Sequence, residues 1–279
     1  MRCMNPLVTC LWICGVTIAL TWIASLVTRE YSWVDRIWSI SPVIYVWVFA
    51  AASGMTDARL VLMACLVTAW GARLTFNFAR KGGYARGGED YRWAALRKRM
   101  SPALYQVFNL LFISIYQNAL ILGITLPAWT VYAASPRTPL GIWDILIAVL
   151  FLALLAGETI ADQQQWNFHQ WKKTESAAAR TPSPTFLTTG LFRYSRHPNF
   201  FFEQSQWWAF YLFAIVATGS VFHWTLLFPV LLSLLFVGST VFTEAISKQR
   251  HPEYVDYQAG TSAIVPWFPR RHQPTTETA

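Results

Sequence analysis

The sequence predicts an all-α polytopic membrane protein with about seven transmembrane helices. Three observations carry that expectation. Of 279 residues, 54% are hydrophobic and only 13% are charged, against about 25% charged in an average soluble protein. The charges that exist leave long gaps, each near the roughly 20 apolar residues that a bilayer span needs. The cations also gather in alternate loops. A disordered chain is excluded, because 15 Trp and 19 Phe are too much apolar surface to leave solvated. A disulfide scaffold is excluded too: Cys3, Cys10, Cys14 and Cys65 sit in apolar stretches near the N-terminus and form no CxxC pair.

Residues 3–28 carry no charge and form the first span. A signal peptide has a shorter apolar core and a small-residue cleavage site, so a retained helix is expected. Ile37 to Thr56 is the second span and Leu60 to Ala79 the third, interrupted only by Arg73. Met100 to Pro136 is the fourth, leaving as a loop near Pro127. Thr138 to Gly157 is the fifth, with Asp144 near its start. Gln204 to Thr243 is long enough for two more, with a hairpin at Thr218-Gly219-Ser220. Six spans, with the last two replaced by one tilted helix and a re-entrant piece, is the alternative. The whole reads as a single membrane domain, residues 1–272, followed by a disordered polar tail, 273–279.

With seven spans, 18 Lys and Arg fall on one face and three on the other (Arg2, Arg59, Arg137). The positive-inside asymmetry puts the N-terminus outside and the C-terminus in the cytosol. The net charge of +8 is therefore a topological signal, and no nucleic-acid partner is expected. The same cations could serve only anionic headgroups.

Ionisable residues placed in lipid are costly and mark functional sites by default. Glu158, Asp162, Gln165 and His169 recur at helical spacing and share one face if the fifth helix continues. Asn199, Glu203 and Gln206 form a second stripe at the start of the sixth, where Pro198 suits a first helical turn. Both stripes border a loop carrying Lys172, Lys173, Arg180, Arg193 and Arg196. Acids within and cations at the rim describe a cytosol-facing pocket for a phosphate-bearing cofactor. The plainer reading pairs each acid with an arginine and gives it a packing role. No histidine spacing suits a metal, and no GxGxxG follows a strand, so neither a metal site nor a Rossmann fold is expected. Gly82-Gly83 and Gly87-Gly88 could let backbone approach a phosphate, or could simply loosen a loop.

The run from Thr189 to Glu203, with Arg193-Tyr194-Ser195-Arg196-His197-Pro198-Asn199, resembles the signature of the steroid 5-alpha-reductase-like membrane proteins, nearest their bacterial branch of uncharacterised function. Glu158-Thr159-Ile160-Ala161-Asp162, Pro252 to Tyr257 and Thr261 to Trp267 resemble it as well, over roughly residues 30–270. The resemblance implies seven-helix reductases that deliver hydride from NADPH to an enone carbon of a sterol or other lipid. It makes residues 140–270 the cofactor-binding half. Asp162, Asn199 and Glu203 would hold the nicotinamide and ribose end, with Arg193 and Arg196 near the phosphates. Glu158, Tyr194 and His197 complete the cofactor set, and Lys172, Lys173 and Arg180 are additional phosphate partners on charge alone.

The chain departs from the steroid-acting members. Phe202 stands where a small Gly is usual. No Gln-Glu pair is found, and Trp70 takes the place of a ketone-polarising Tyr. Asp35, Tyr45 and Tyr116 are the replacement catalytic candidates; the alternative for each is a structural or interface role. A membrane lipid or isoprenoid-like substrate, entering from the bilayer of a bacterial inner membrane or the endoplasmic reticulum, is expected. The competing reading is an S-adenosylmethionine-dependent membrane methyltransferase of the isoprenylcysteine carboxyl type, which shares an Arg-His-Pro motif and a Tyr-x-x-Tyr. That family favours a Glu-Glu pair where this chain has Thr243-Glu244. A transporter or scaffold would show repeats or paired broken helices, and neither is visible.

Overall fold

A computed structural model describes residues 5–134 and 138–270. Its helices are α1 (Pro6–Thr28), α2 (Trp33–Ile37), α3 (Ser41–Ala52), α4 (Ala58–Arg80), α5 (Tyr91–Arg97), α6 (Pro102–Phe108), α7 (Gln117–Ala133), α8 (Ile142–Ala177), α9 (Pro198–Thr218), α10 (Leu227–Arg250) and α11 (Tyr254–Gly260). A π-helical stretch, Asn109–Tyr116, joins α6 to α7. No strand occurs among the described residues.

Among the described residues, five helices are long and apolar enough to cross a membrane: α1, α4, Pro102–Ala133, α8 and Trp224–Arg250. The protein is thus a multi-pass membrane protein. The second and sixth expected spans fall on α3 and α9. Helix α3 is apolar but has 12 residues, about 18 Å at 1.5 Å per residue. Helix α9 has 21 residues, but Glu203, Gln204 and Gln206 dilute its first turns.

One local expectation changes: Pro127 does not end a helix but lies inside α7, in a buried turn. The fifth helix continues past the apolar run that ends at Gly157 and reaches Ala177, so the acidic stripe lies within one helix, as its spacing anticipated. The hairpin falls where expected, with α9 ending at Thr218 and Gly219 at a φ of 70°. The tail 273–279 lies outside the described residues.

The chain divides into two compact units. The first runs up to Leu152 and adds Trp207–Leu232; the second holds Ala153–Gln206 and the chain from Ser233 onward. In the first, Asp57 caps α4 by accepting from the Arg59 and Leu60 amides at 3.0 and 3.2 Å. Arg59 is then held by Asp144, Nε to Oδ1 at 2.6 Å and Nη2 to Oδ2 at 2.9 Å. Thr138 accepts from Nη1 and the Pro139 carbonyl also accepts from Nη2, and the Gly141 amide donates to Asp144.

The glycine-rich loop after α4 is tied down. Arg36 donates to the Gly83 and Ala85 carbonyls and to Glu30, while Glu30 accepts from the Gly87 amide. That amide and Arg36 hold the Glu30 carboxyl below its ordinary range. The loop thus wraps a cation of its own chain.

Candidate functional site

The second unit is built around the loop that precedes α9. Gly190 opens it at a φ of 64°, where a Cβ would meet the Gln164 side chain at 2.5 Å. Gln164 accepts from the Leu191 amide at 2.9 Å, so α8 fixes where the loop turns. The buried Ser195 hydroxyl donates to the Ile264 carbonyl at 2.7 Å. The Arg196 and His197 amides donate to Ser262 and Ala263 at 2.8 and 3.0 Å, and the Trp267 amide donates to Tyr194 at 2.9 Å. The Thr189–Asn199 block and the segment 261–267, both picked out in the sequence, therefore fold as one stitched layer.

Arg196 is the centre of that layer and not part of a rim. Its side chain is 9% exposed. Nε and Nη2 reach the two Glu244 oxygens at 2.6 and 3.1 Å, and Nη1 reaches the Gln258 carbonyl at 3.1 Å and the Thr261 carbonyl. His197 Nε2 shares Glu244 at 3.1 Å, and Gln258 donates to it at 2.6 Å. Tyr257 donates to the Phe192 carbonyl. Burial pushes the Tyr254 and Tyr257 phenols up, keeping both protonated as donors.

Arg193 is exposed and lines a cavity of about 490 Å³ with Thr188, Tyr257, Thr261, Phe268, Pro269 and Arg270. A cavity of about 320 Å³ shares Thr261, Phe268 and Arg270 with it and reaches Arg196. Neither Arg193 nor Arg270 makes an ion pair among the described residues. Two unpaired cations with hydroxyls beside them suit an anion such as a phosphate. Of that wall, Arg193, Tyr257 and the Thr261–Trp267 block were legible in the sequence, whereas Thr188 carried no signal.

The acidic stripes are buried as their spacing demands. Glu158, Asp162 and Glu203 are 4, 4 and 6% exposed. Gln206 donates to Glu158 at 2.6 Å, and its own side-chain oxygen is buried with no partner among the described residues. Phe202 lays its ring against Gly157, where a Cβ would sit 2.5 Å away. The stripe ends earlier than expected. His169 is exposed, and Asn199 is half-buried. Lys172 donates to the Thr185 carbonyl at 2.7 Å, and Tyr194 is exposed at the layer's edge.

The three catalytic candidates lie in the first unit, and no hydrogen bond joins them among the described residues. Asp35 accepts from Trp93 Nε1 at 2.8 Å, and burial pushes its carboxyl up. Tyr45 is fully buried, its hydroxyl beside Thr17 and Cys14 of α1. Tyr116 stacks on Phe112, ring centroids 5.3 Å apart.

The family model described as "Protein of unknown function (DUF1295)" matches residues 21–261. An uncharacterized protein of Schizosaccharomyces pombe is 35% identical over 279 residues, covering 95% of this chain and 80% of that protein. No solved structure matches.

Proposed function

The chain belongs to the DUF1295 family, within the steroid 5-alpha-reductase-like superfamily, and from that premise we propose that it is an integral-membrane NADPH-dependent reductase. Its substrate is an activated C=C bond of a membrane lipid, isoprenoid or steroid-like molecule. The observation that carries the reading is the second unit itself. It combines a cavity bearing Arg193 and Arg270 with three buried carboxylates and the unpartnered Gln206 oxygen. That donor and acceptor set fits a ligand with phosphates at one end and a polar amide and ribose at the other.

Bound NADPH would supply the hydride. Arg193 and Arg270 bind phosphate oxygens, with Lys172 beside the same loop. Glu158, Asp162, Asn199, Glu203 and Gln206 accept or donate at the amide and ribose end. Arg196 is a positioning residue: its grip on Glu244 fixes Tyr194 and His197 and holds Arg193 at the cavity. In the first unit the buried Tyr45 hydroxyl serves as the proton donor, with Asp35 and Tyr116 as the other candidates. Seven spans, with the N-terminus outside and the C-terminus cytosolic, complete the reading for a bacterial inner membrane or endoplasmic reticulum.

The test is a thermal-shift comparison of purified protein with NADPH, NADH and S-adenosylmethionine. NADPH at a hundredfold over Kd should stabilise by about 2.7 kcal/mol. Replacing Arg193 and Arg270 by alanine should remove most of that shift and flatten its salt dependence. A shift with S-adenosylmethionine alone would favour the methyltransferase, which the Arg196-His197-Pro198 motif and the Tyr254-x-x-Tyr257 spacing keep as the second reading. For topology, single cysteines at Phe222 and Ala178 should label from opposite faces, since α9 separates them. Labelling from one face leaves α9 outside the set of spans.

A further inference from the structure

Helix α1 is packed inside out. Its buried residues are Pro6, Cys10, Cys14, Thr21 and Ser25, while Leu11, Trp12, Val16, Leu20 and Val27 are exposed. A lipid-facing apolar side is ordinary for a span. A polar stripe running from Ser25 to Cys10, about 22 Å at 1.5 Å per residue, covers most of a hydrocarbon core about 30 Å thick.

The π-helical stretch supplies the facing wall. In an α-helix, at about 100° per residue, the nine steps from Asn109 to Asn118 would put them on opposite sides. Bonding from i to i+5 widens each turn to roughly 4.4 residues and brings Asn109, Ser114 and Asn118 back toward one face. They meet α1: Asn109 donates to Ser25 at 2.8 Å, Asn118 donates to Thr21 at 3.3 Å, and the Cys14 thiol reaches the Asn118 carbonyl at 3.6 Å.

Those bonds do not satisfy the seam. Asn109 Oδ1, Ser114 Oγ, Asn118 Oδ1 and the Tyr105 hydroxyl are buried with no partner among the described residues, and the fully buried Tyr45 hydroxyl meets the seam at Cys14 and Thr17 of α1. Hydrogen-bonded helix glue would not leave four such atoms, because each unsatisfied group in a bilayer interior is expensive. Acceptors and hydroxyls in alternation are what a chain of water molecules bonds to. One end is open: exposed Gln106 donates to Tyr31 at 2.9 Å and accepts weakly from Asn109 at 3.5 Å. The other end is Tyr45, whose carbonyl takes the Cys10 thiol at 3.8 Å.

We propose that the seam between α1 and the π-helical stretch is a file of water molecules that conducts protons from Gln106 to the Tyr45 hydroxyl. Each transfer makes one O–H bond and breaks another, and nothing on the seam is oxidised or reduced. The use made of the proton rests on the reductase reading. There, reduction of C=C adds hydride to one carbon and a proton to the other; Tyr45 gives up that proton and is reprotonated from the file. The presence of the file is independent of that reading.

The closing experiment has two arms. X-ray hydroxyl-radical footprinting of the full-length protein should oxidise Tyr45, Tyr105 and Cys14 despite their burial, and leave equally buried Phe151 untouched. Asn118→Leu should abolish labelling of Tyr45 and keep that of Tyr105, with Ser114→Ala giving a smaller loss in the same direction. Wild-type Tyr45 as protected as Phe151, or labelling unaffected by Asn118→Leu, would overturn the proposal. In the second arm, Asn118→Leu should slow lipid reduction about a hundredfold, the scale of a general acid, with NADPH affinity unchanged. Footprinting as expected without NADPH binding would reject the reductase and keep the file. Footprinting as expected with unchanged reduction would reject proton delivery.

Discussion

Arg59 and Arg196 are both nearly buried arginines gripped by one carboxylate, yet the two locks have different surroundings. Around Arg59, both Asp144 oxygens, the Thr138 hydroxyl and the Pro139 carbonyl close the site, and a backbone amide completes Asp144. Around Arg196, the same bidentate geometry borders a cavity, and Glu244 is divided among Arg196, His197 and Gln258. Buried ion pairs seldom add net stability over apolar packing, but breaking one strands a charge. The first lock is therefore architectural, while the second also braces the loop that carries Arg193 beside the cavity.

The largest expected effect is in the closed lock. Asp144→Ala leaves Arg59 uncompensated at 4% exposure and should cost about 3–5 kcal/mol, read as a lower midpoint of thermal inactivation. NADPH affinity per folded molecule should not change. Glu244→Ala should cost less, about 2–3 kcal/mol, because two carbonyls still accept from Arg196 and the cavity admits water. It should also weaken NADPH binding, since Arg193 shares that loop. Equal stability losses with no change in affinity would erase the distinction between the locks.

Glu203 gives the smallest and most local effect. Glu203→Ala should lower NADPH affinity by about 2 kcal/mol and Glu203→Gln by about 1 kcal/mol, each with little change in melting temperature. A lost melting temperature with intact affinity would make Glu203 a packing residue like Asp144 and remove it from the site.

Much of this was legible in the chain. The Glu158 and Asp162 spacing indicated one buried helical face, and both side chains are buried on α8. Pro198 and Gly219 bounded a helix that runs from Pro198 to Thr218. The Thr189–Asn199 block and the Thr261–Trp267 block were each marked, but nothing in either showed that they hydrogen-bond to each other. Arg196 was read as a rim cation because an arginine in a basic loop usually faces water. Its partner lies 48 residues away, on α10.

Composition and charge spacing by themselves determined that this chain is helical and embedded in a membrane, because apolar length and cation placement act locally. The structure alone decided which charges meet. Arg59 and Asp144 are 85 residues apart, and their pairing depends on two helix starts coming together. It also decided that eight residues wind as a π-helix, turning Asn109, Ser114 and Asn118 toward α1. A period of 3.6 read along the sequence places Asn109 and Asn118 on opposite sides, so packing against the polar stripe, and not local propensity, selects the wider turn.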